Sequence, residues 1–345
     1  CCGSVCVVLR TPASCFCSMP RVLLFVALVF VFNVATAKEF NVRDYGAKGD
    51  GKTDDTNAVR KATAAAAANN GGTILFPPAP SAGSDDETVY LTGALNLTSN
   101  TILFVAGSVR VLGSDDGDRW PLVNAAEVWP QFGHGSDCTP GDQSCAYMHQ
   151  AFVFSWNQVN VSITGGGTID GGATHDTWWK CASDLSQPPC NGYGRAHLVM
   201  FSNVTGVELE SVHFTNSPDW VLHMSSCTNV HYNRVNVTNP SDSPNTDGTD
   251  IDASQNVLVE NSYFSTGDDA LCVKSGIDYN GRQYGRPAKD IVFNVTFGAC
   301  VCVRGCDLAG DLLRLWTENI VMHDTERGPR MKSQNGRGGV VSDIT

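Results

Sequence analysis

The sequence has little positive charge and few charged residues of either sign. Lys and Arg number 23 against 35 for Asp and Glu, the formal net charge is −12, and charged residues make up 17% of the 345 residues. Nucleic-acid binding needs dense positive charge, so we expect no nucleic-acid partner. The apolar share of 42% is enough to build a core and excludes a wholly disordered chain.

Long hydrophobic runs are also lacking. The run at residues 22–32 is shorter than the ~20 apolar residues that a membrane-spanning helix needs. It follows the basic residue Arg21 and precedes an Ala-Thr-Ala sequence at 35–37, which is the pattern of a secretory signal peptide. A membrane anchor is the alternative, and the length of the run disfavours it.

These features divide the chain into three parts. We interpret residues 1–18, which are rich in cysteine, as translated upstream sequence, and residues 19–37 as the signal peptide. Residues 38–345 form the predicted mature domain. We expect it to be secreted to the cell wall, free of the membrane after cleavage, and monomeric.

Nine cysteines follow the predicted signal peptide, and in a secreted protein most of them should pair. Spacing favours Cys138 with Cys145 and Cys181 with Cys190, and Cys272 with Cys300 is plausible across neighbouring strands. This leaves Cys227, Cys302 and Cys306. Five N-x-S/T sequons agree with secretion; they begin at Asn96, Asn160, Asn203, Asn236 and Asn294.

The chain repeats from about residue 150 onward. Short β-branched runs begin at positions 203, 229, 256, 290 and 319, which are 26, 27, 34 and 29 residues apart. A period of this size, built from strands and turns, indicates a solenoid. Apolar alternation without room for crossover helices predicts an all-β parallel β-helix rather than a doubly wound sheet. A β-sandwich is the alternative, but a sandwich does not repeat whole coils.

One helix is predicted near the start of the domain. Asp54 and Asp55 precede an Ala-rich stretch that ends at the glycines 71–72, as helix start and stop rules require. We expect this helix to cap the open end of the solenoid. The Asp-rich residues 50–55 can also be read as a calcium loop, but they lack the distal Glu of an EF-hand.

Three aspartates are the candidate catalytic residues. Asp247 lies in an Asn-Thr-Asp-Gly sequence that begins at Asn245, and Asp268 and Asp269 lie in a Gly-Asp-Asp sequence that begins at Gly267. The offset of 21 residues from Asp247 to Asp268 is close to one coil and predicts stacked carboxylates. Consecutive residues on a regular strand point to opposite faces, so we expect Gly267 to permit a bend. Such a cluster can supply the acid and the base of glycoside hydrolysis.

A basic pair is the second candidate feature. On a strand, Arg330 and Lys332 share one face while Met331 points into the core. Two cations on one face can hold a substrate carboxylate, and an acidic protein needs such a local patch to bind an anionic substrate. Lys274 is a further candidate on weaker grounds. An exposed basic pair and solvated turn aspartates are the alternatives when each motif is considered alone.

Taken together, these motifs resemble the polygalacturonases of glycoside hydrolase family 28. The resemblance runs from about residue 40 to residue 345, with its motifs in the family's order. It rests on residues 44–51, 165–171, 243–248, 267–269, 273–276 and 330–332.

The resemblance implies a right-handed parallel β-helix that hydrolyses α-1,4-linked galacturonan in pectin with inversion. It implies that Asp268 is the general acid and that Asp247 and Asp269 activate water. Arg330 and Lys332 would bind the galacturonate carboxylate, and we place Asn245 and Lys274 in the substrate site with them. No metal and no cofactor are implied.

Three departures from the family pattern bear on activity. The family's Gly-His-Gly is missing near Cys300, and the Gly-His-Gly around His134 lies too far upstream to take its place. Residues 301–316 lack the Gly-Ser-rich sequence of the family. We interpret this difference as a compensated reading-frame error. The domain also stops soon after Lys332, so we expect it to lack the last coils. The alternatives are therefore a non-catalytic or defective β-helix that at most binds pectin, and a calcium-dependent lyase.

Overall fold

The protein is described here by a computed structural model. It covers residues 38–79, 87–133, 146–294, 297–298, 301–303, 311–322, 329–331 and 339–345. Several predictions fall outside these residues: the upstream segment, the signal peptide, the Cys138–Cys145 pair, Cys300, Cys306 and Lys332. None of the helices in the described ranges is long and apolar enough to cross a membrane.

Three long parallel sheets dominate the fold, and a complete coil of the chain adds one strand to each sheet. The first sheet has ten strands: Glu39–Asn41, Gly72–Phe76, Thr101–Val105, Val159–Thr164, Thr205–Glu210, Thr228–Asn233, Gln255–Glu260, Ala288–Asn294, Leu312–Glu318 and Val341–Ile344. The second has eight: Leu95–Asn96, Val153–Trp156, Val199–Ser202, Leu222–Ser225, Thr249–Asp252, Leu271–Lys274, Val301–Val303 and Arg330–Met331. The third has eight: Asp50–Asp54, Thr88–Thr92, Val109–Gly113, Thr168–Asp170, His213–Thr215, Asn236–Thr238, Tyr263–Ser265 and Phe297–Gly298.

Shorter strands and helices lie in the connections between the strands of these sheets. The strands Leu122–Asn124 and Tyr147–His149 form an antiparallel pair. The α-helices are Thr56–Ala68, Ala125–Val128 and Asp278–Tyr284, and the 3-10 helices are Val42–Tyr45, Gly117–Arg119 and Trp178–Ala182.

The chain visits the first, third and second sheets in turn and then begins the next coil. Strands of successive coils pair in parallel without crossing, for example Val207 with Val230 and Val230 with Val257. This is the predicted right-handed parallel β-helix, and the right-handed sense is the one that parallel connections favour. The prediction of the fold class is confirmed.

The repeat seen in the sequence marks left-handed backbone positions. Residues 203, 229, 256, 290 and 319 all have a positive φ between 51° and 60°. They are not all equivalent, however. Residues 229, 256 and 290 stack within strands of the first sheet, whereas residue 203 lies just before the strand Thr205–Glu210 and residue 319 lies just after the strand Leu312–Glu318. Asn and Asp tolerate this conformation better than other non-glycine residues, which explains why the pattern was visible.

The N-terminal helix Thr56–Ala68 confirms the predicted cap. Its buried face, which includes Val59, Ala62 and Ala66, packs into the main core over the first coil. Asp54 caps it by accepting the Thr56 amide at 2.9 Å. The Asp55 carboxylate instead accepts the amides of the preceding turn, and burial raises the pKa of that carboxyl group.

Two hydrophobic clusters lie on opposite sides of the second sheet. The main core fills the inside of the coils and includes Phe201, Met224 and Val273. The second cluster covers the outer face of the same sheet and brings Trp129 and Phe132 against Met200 and Trp220. The four strands from Val199–Ser202 to Leu271–Lys274 are therefore buried on both faces, unlike the strands of the other two sheets in the same coils.

Candidate active site

The candidate aspartates lie just before two neighbouring strands of the second sheet. Thr249 pairs with Leu271, and the Gly248 amide donates to the Asp269 carbonyl at 2.9 Å. Continuing this register places Asp247 beside Asp269, an offset of 22 residues. The sequence prediction of stacked carboxylates holds for this pair, but the partner of Asp247 is Asp269 rather than Asp268.

Gly267 is needed for close packing. Its φ is not left-handed, but a Cβ at this position would overlap the carbonyl and hydroxyl oxygens of Ser243. Its amide donates to the Thr246 hydroxyl at 3.1 Å. Asp268 and Asp269 lie in the connection 266–270 before the strand, so the predicted strand bend is replaced by a loop that packs against residues 243–246.

Two carboxylates and a thiol form the centre of the site. One oxygen of Asp247, one oxygen of Asp269 and Sγ of Cys272 lie within 4.8 Å of one another. Asp247 and Asp269 are 1% and 7% exposed, and Cys272 is fully buried. Asp268 is half-buried and accepts the Asp269 amide at 2.8 Å. The arrangement can hold a water molecule between two carboxylates, with a third carboxyl group closer to solvent.

Lys274 supplies the nearby positive charge. Its Nζ lies 3.6 Å from Oδ2 of Asp247, makes an ion pair with Asp250, and sits 3.3 Å from the centre of the Trp220 ring. The side chain is fully buried. Lys274 therefore lies beside Asp247, and its buried ammonium group contacts protein carboxylates rather than solvent.

Asn245 is held by a buried arginine. Its Oδ1 accepts from Nη2 of Arg195 at 2.7 Å, and the same guanidinium lies 3.3 Å from Asp219. Arg195 and Asp219 are both fully buried, while Asn245 is exposed. The turn that carries Asp247 is thus anchored by a charged group that lies on the preceding coils.

Two buried histidines continue this polar network. Nδ1 of His223 lies 3.0 Å from Nδ1 of His197, so one ring donates and the other accepts. The Trp129 indole donates to Asp252 at 2.6 Å, and the His223 ring lies 3.8 Å from the same carboxylate. The network therefore reaches from the aspartates to the segment that covers the sheet.

Burial and neighbouring charges set the protonation of this network. Burial lowers the pKa of His197 well below its ordinary value, and the charges of His223, Lys274 and Arg195 lower it further. Burial alone would raise the pKa of Asp252, but the His223 ring, the Trp129 indole and the Gly276 amide hold this pKa below its ordinary value. The network thus favours a neutral His197 and an ionised Asp252.

The covering segment, residues 125–133, is called the wall segment below. Besides the Trp129 indole bond, Gln131 donates to the Ser225 hydroxyl at 2.8 Å and accepts the Ile277 amide at 3.0 Å. The Trp129 and Phe132 rings stack with centroids 4.0 Å apart. Wide aromatic contact and several hydrogen bonds fix the wall segment to the outer face of the second sheet.

The predicted substrate-binding cation Arg330 lies on the last described strand of the second sheet. The register runs from Cys272 to Cys302 to Arg330, which places Arg330 in the column of Cys272, two strands beyond it. In the backbone register, Met331 continues the column of Val273 and Val303. Lys332 lies outside the described residues.

The unusual segment 301–316 still contributes to the fold. Val301–Val303 continues the second sheet, and Leu312–Glu318 pairs with Ala288–Asn294 in the first. Leu312 and Leu315 are buried in the main core. These contacts do not test the hypothesis of a reading-frame error, but the part that is described continues the coils.

Sequence reasoning missed most of the buried network. The missed residues are Trp129, Arg195, His197, Asp219, Trp220, His223, Asp250, Asp252 and Cys272. A signal existed in the second sheet: the strand Leu222–Ser225 alternates apolar and polar residues, as a half-exposed strand does, and Ile251 lies between two aspartates in the strand Thr249–Asp252. Only the covering wall segment shows that the polar side is buried as well.

Comparison with known proteins places this site in a family. The profile described as Glycosyl hydrolases family 28 matches residues 141–345. The chain belongs to this family. A second profile, Rhamnogalacturonase A/epimerase, pectate lyase-like, matches residues 39–79. The aspartates, Lys274 and Arg330 all fall within the range that the family 28 profile matches.

Individual relatives agree with this assignment. The chain is 31% identical over 306 residues to a protein named Probable polygalacturonase from Vitis vinifera, covering 87% of this chain and 58% of that one. It is 26% identical to a polygalacturonase from Juniperus ashei, covering 89% of this chain and 53% of the relative. The chain thus spans little more than half the length of these two relatives.

A solved structure is similar over most of the chain. The exopolygalacturonase from Thermotoga maritima is 26% identical, with a TM-score of 0.73, and the match covers 89% of this chain and 71% of that chain. A polygalacturonase from Erwinia carotovora, at 21% identity and a TM-score of 0.64, supports the fold alone.

Proposed function

We propose that this protein is a pectin-degrading polygalacturonase that hydrolyses α-1,4-galacturonosidic bonds with inversion. The observation that carries the proposal is the pair of stacked carboxylates, Asp247 and Asp269, with Asp268 beside them at the more exposed position. Family membership and the names of the relatives support the substrate class.

In this mechanism one carboxyl group is the general acid and the other two act as the general base. Asp268 donates a proton to the leaving glycosidic oxygen, while Asp247 and Asp269 orient a water molecule and take its proton as it attacks the anomeric carbon. The Lys274 ammonium, 3.6 Å from Asp247, favours the ionised form of that base. Arg330 and Lys332 bind the galacturonate carboxylate, and Asn245 contributes a polar contact at the exposed rim.

A calcium-dependent lyase is less well supported by the donor atoms of this site. Ca²⁺ prefers oxygen ligands, whereas one of the three clustered donors is the Cys272 sulfur. Lys274 adds positive charge beside Asp247, which opposes a bound cation. The site suits acid–base hydrolysis better than metal-assisted elimination.

The test is a reducing-sugar assay on polygalacturonate with and without EDTA. We expect EDTA-resistant activity, and Asp268→Asn should lower kcat by about 10²- to 10⁴-fold because the general acid is lost. The matched control is Asp290→Asn, the same chemical change in the first sheet, which should leave kcat unchanged. Unsaturated products that absorb in the ultraviolet would support the lyase, and binding without turnover would support the non-catalytic alternative.

We also propose that the mature protein is secreted and acts as a monomer outside the membrane. The signal-peptide pattern at 19–37 and the Cys181–Cys190 disulfide support secretion, because disulfides persist mainly in oxidising compartments. Mass spectrometry of protein secreted from a eukaryotic host should find an N-terminus near Lys38. An uncleaved, cell-retained chain would contradict this.

A further inference from the structure

The outer face of the third sheet carries one of the five N-x-S/T sequons at an exposed position. Asn236 begins this sequon on the strand Asn236–Thr238, where Asn236 is exposed and Val237 is buried in the main core. Because alternate residues of a strand point to opposite faces, Asn236 and Thr238 both face outward. The sequon therefore lies on the surface of the β-helix, on a different sheet from the candidate aspartates.

An exposed tyrosine lies beside this asparagine. The register of the third sheet places Asn236 between His213 and Tyr263, with all three residues at outward-facing positions. Adjacent strands are ~4.8 Å apart, and Tyr263 is 44% exposed. The C–H groups on one face of a sugar ring pack well against an aromatic ring. A sugar attached to Asn236 would thus begin over the Tyr263 ring.

Two other sequons use their asparagine amides inside the fold. Nδ2 of Asn160 donates to Asn100 at 3.0 Å, and Nδ2 of Asn203 donates to Asn157 at 2.8 Å. Asn160 and Asn203 also have a left-handed backbone, with φ of 56° and 51°. A sugar on either nitrogen would replace one N–H and crowd the neighbouring asparagine. Neither position therefore suits a glycan in the folded protein.

The remaining two sequons differ from the one at Asn236. Asn96 is exposed, but its neighbour in register, Phe154, is buried in the second hydrophobic cluster. The sequon that begins at Asn294 ends at residue 296, which lies outside the described residues. Among the sequons that the structure describes in full, Asn236 therefore combines an exposed asparagine with an exposed aromatic neighbour in register.

We propose that Asn236 is an N-glycosylation site and that the first sugar of the glycan packs on Tyr263. The inference rests on the secretion proposed above and is independent of the hydrolytic reaction. A transferase of the secretory pathway uses a lipid-pyrophosphate-linked oligosaccharide as donor. The side-chain nitrogen of Asn236 bonds to the anomeric carbon of the first sugar and loses one proton. The bond from that carbon to the pyrophosphate oxygen breaks, and the lipid pyrophosphate leaves.

Transfer of the glycan precedes the folding of this segment. In the folded protein the Thr238 hydroxyl, which completes the sequon, lies 2.6 Å from Nε2 of His213, and the strand Asn236–Thr238 is paired on both sides. The transferase therefore acts on the unfolded chain, and the fold determines which modified asparagines are tolerated. A sugar on Asn236 leaves the strand pairing intact, because only an exposed side chain is changed.

The test is glycopeptide mapping of the full chain secreted from a eukaryotic host. Digestion with peptide-N-glycosidase in heavy-oxygen water labels each asparagine that carried a glycan, and the same spectra locate the N-terminus. We expect the label at Asn236 and none at Asn160 or Asn203. A chain cleaved near Lys38 with Asn236 unlabelled would overturn this inference and leave the proposed secretion intact. An uncleaved, unlabelled chain retained in the cell would overturn both.

A pair of variants tests the assignment by gel electrophoresis. Asn236→Gln should lower the apparent mass by one oligosaccharide, and kcat should stay unchanged because the third sheet is distinct from the candidate active site. The matched control is Asn203→Gln, the same change at another exposed sequon, which should leave the apparent mass unchanged. An unchanged mass in Asn236→Gln, or a reduced mass in Asn203→Gln, would contradict the proposed choice of site.

The role of Tyr263 is tested by combining variants. Loss of the glycan in Asn236→Gln should lower the Tm of the secreted protein by roughly 1–3 °C, and this loss should disappear in a Tyr263→Ala background. Tyr279→Ala is the control background, because Tyr279 is 65% exposed on the helix Asp278–Tyr284. The loss should persist there. An equal loss of Tm in both backgrounds would show that the first sugar does not pack on Tyr263.

Discussion

The outer faces of the first and second sheets differ although the same coils build both. On the first sheet, His231 lies between Glu208 and Glu260 with its side chain 33% exposed, and Trp316 is 47% exposed. On the second sheet, Asp250 and Asp252 occupy comparable outward positions and are fully buried. Water solvates the charges of the first face, whereas protein groups must compensate those of the second.

That difference separates a structural surface from a functional one. Burying an ionised group costs several kcal/mol unless a partner compensates it, so a dense buried network is rarely retained for stability alone. Strongly perturbed groups in such a network are typical of active sites. The contrast between the two faces therefore singles out the second sheet without reference to any motif.

The largest expected effect comes from breaking a buried ion pair. Lys274→Met leaves Asp247 and Asp250 without their ammonium partner and should lower the free energy of unfolding by about 3–5 kcal/mol. Arg314→Met is the matched change on the first sheet, where Arg314 pairs with Asp290 at an exposed position. It should cause little change, because surface pairs contribute little. Chemical denaturation of both variants measures the difference.

A second substitution sharpens this prediction. Adding Asp250→Asn to Lys274→Met removes one of the uncompensated charges, so the double variant should recover part of the lost stability. Equal stability of the single and double variants would show that Lys274 and Asp250 are not energetically coupled.

The fold was largely predictable, because strand alternation and coil length are local properties of the sequence. The helix Thr56–Ala68 and the Cys181–Cys190 disulfide were predictable for the same reason. The pairing of Asp247 with Asp269 was missed by one residue, since the register depends on how a loop packs and not on its length alone. The burial of Lys274 was not predictable, because Lys274 packs against Trp220, which is covered by the wall segment from a distant part of the chain.

The acid dependence of stability gives the next effect. The folded pKa of His197 lies well below the unfolded value of 6.5 because of burial and the nearby His223, Lys274 and Arg195. As the pH falls below 6.5, His197 gains a proton in the unfolded chain but stays neutral in the folded chain. The free energy of unfolding therefore drops by up to about 2 kcal/mol at pH 5. A folded His197→Gln variant should lose this part of the acid slope. An unchanged slope between pH 7 and pH 5 would contradict a neutral buried His197.

The smallest effect has the opposite sign and belongs to the first sheet. The hydrogen bond to Glu208 raises the pKa of His231, an effect that burial opposes and Glu260 supports. Its stabilisation is fully present below the unfolded value of 6.5 and is lost as pH rises through the raised folded pKa. His231→Gln should therefore destabilise more at pH 5 than at pH 8. Solvent screening keeps the difference below about 1 kcal/mol, and thermal melts at the two pH values measure it.

The corners of the coils decide where this protein can vary. Two residues join the second sheet to the first at 203–204, 226–227 and 253–254, and two join the first to the third at 211–212, 234–235 and 261–262. The third-to-second connections are unequal, from the two residues 93–94 to the long connection 114–152, which includes the wall segment. Insertions at those connections lengthen the loops beside the second sheet without shifting any strand. The same scaffold can thus acquire new substrate preferences through changes in these loops, while the core and the strand register stay the same.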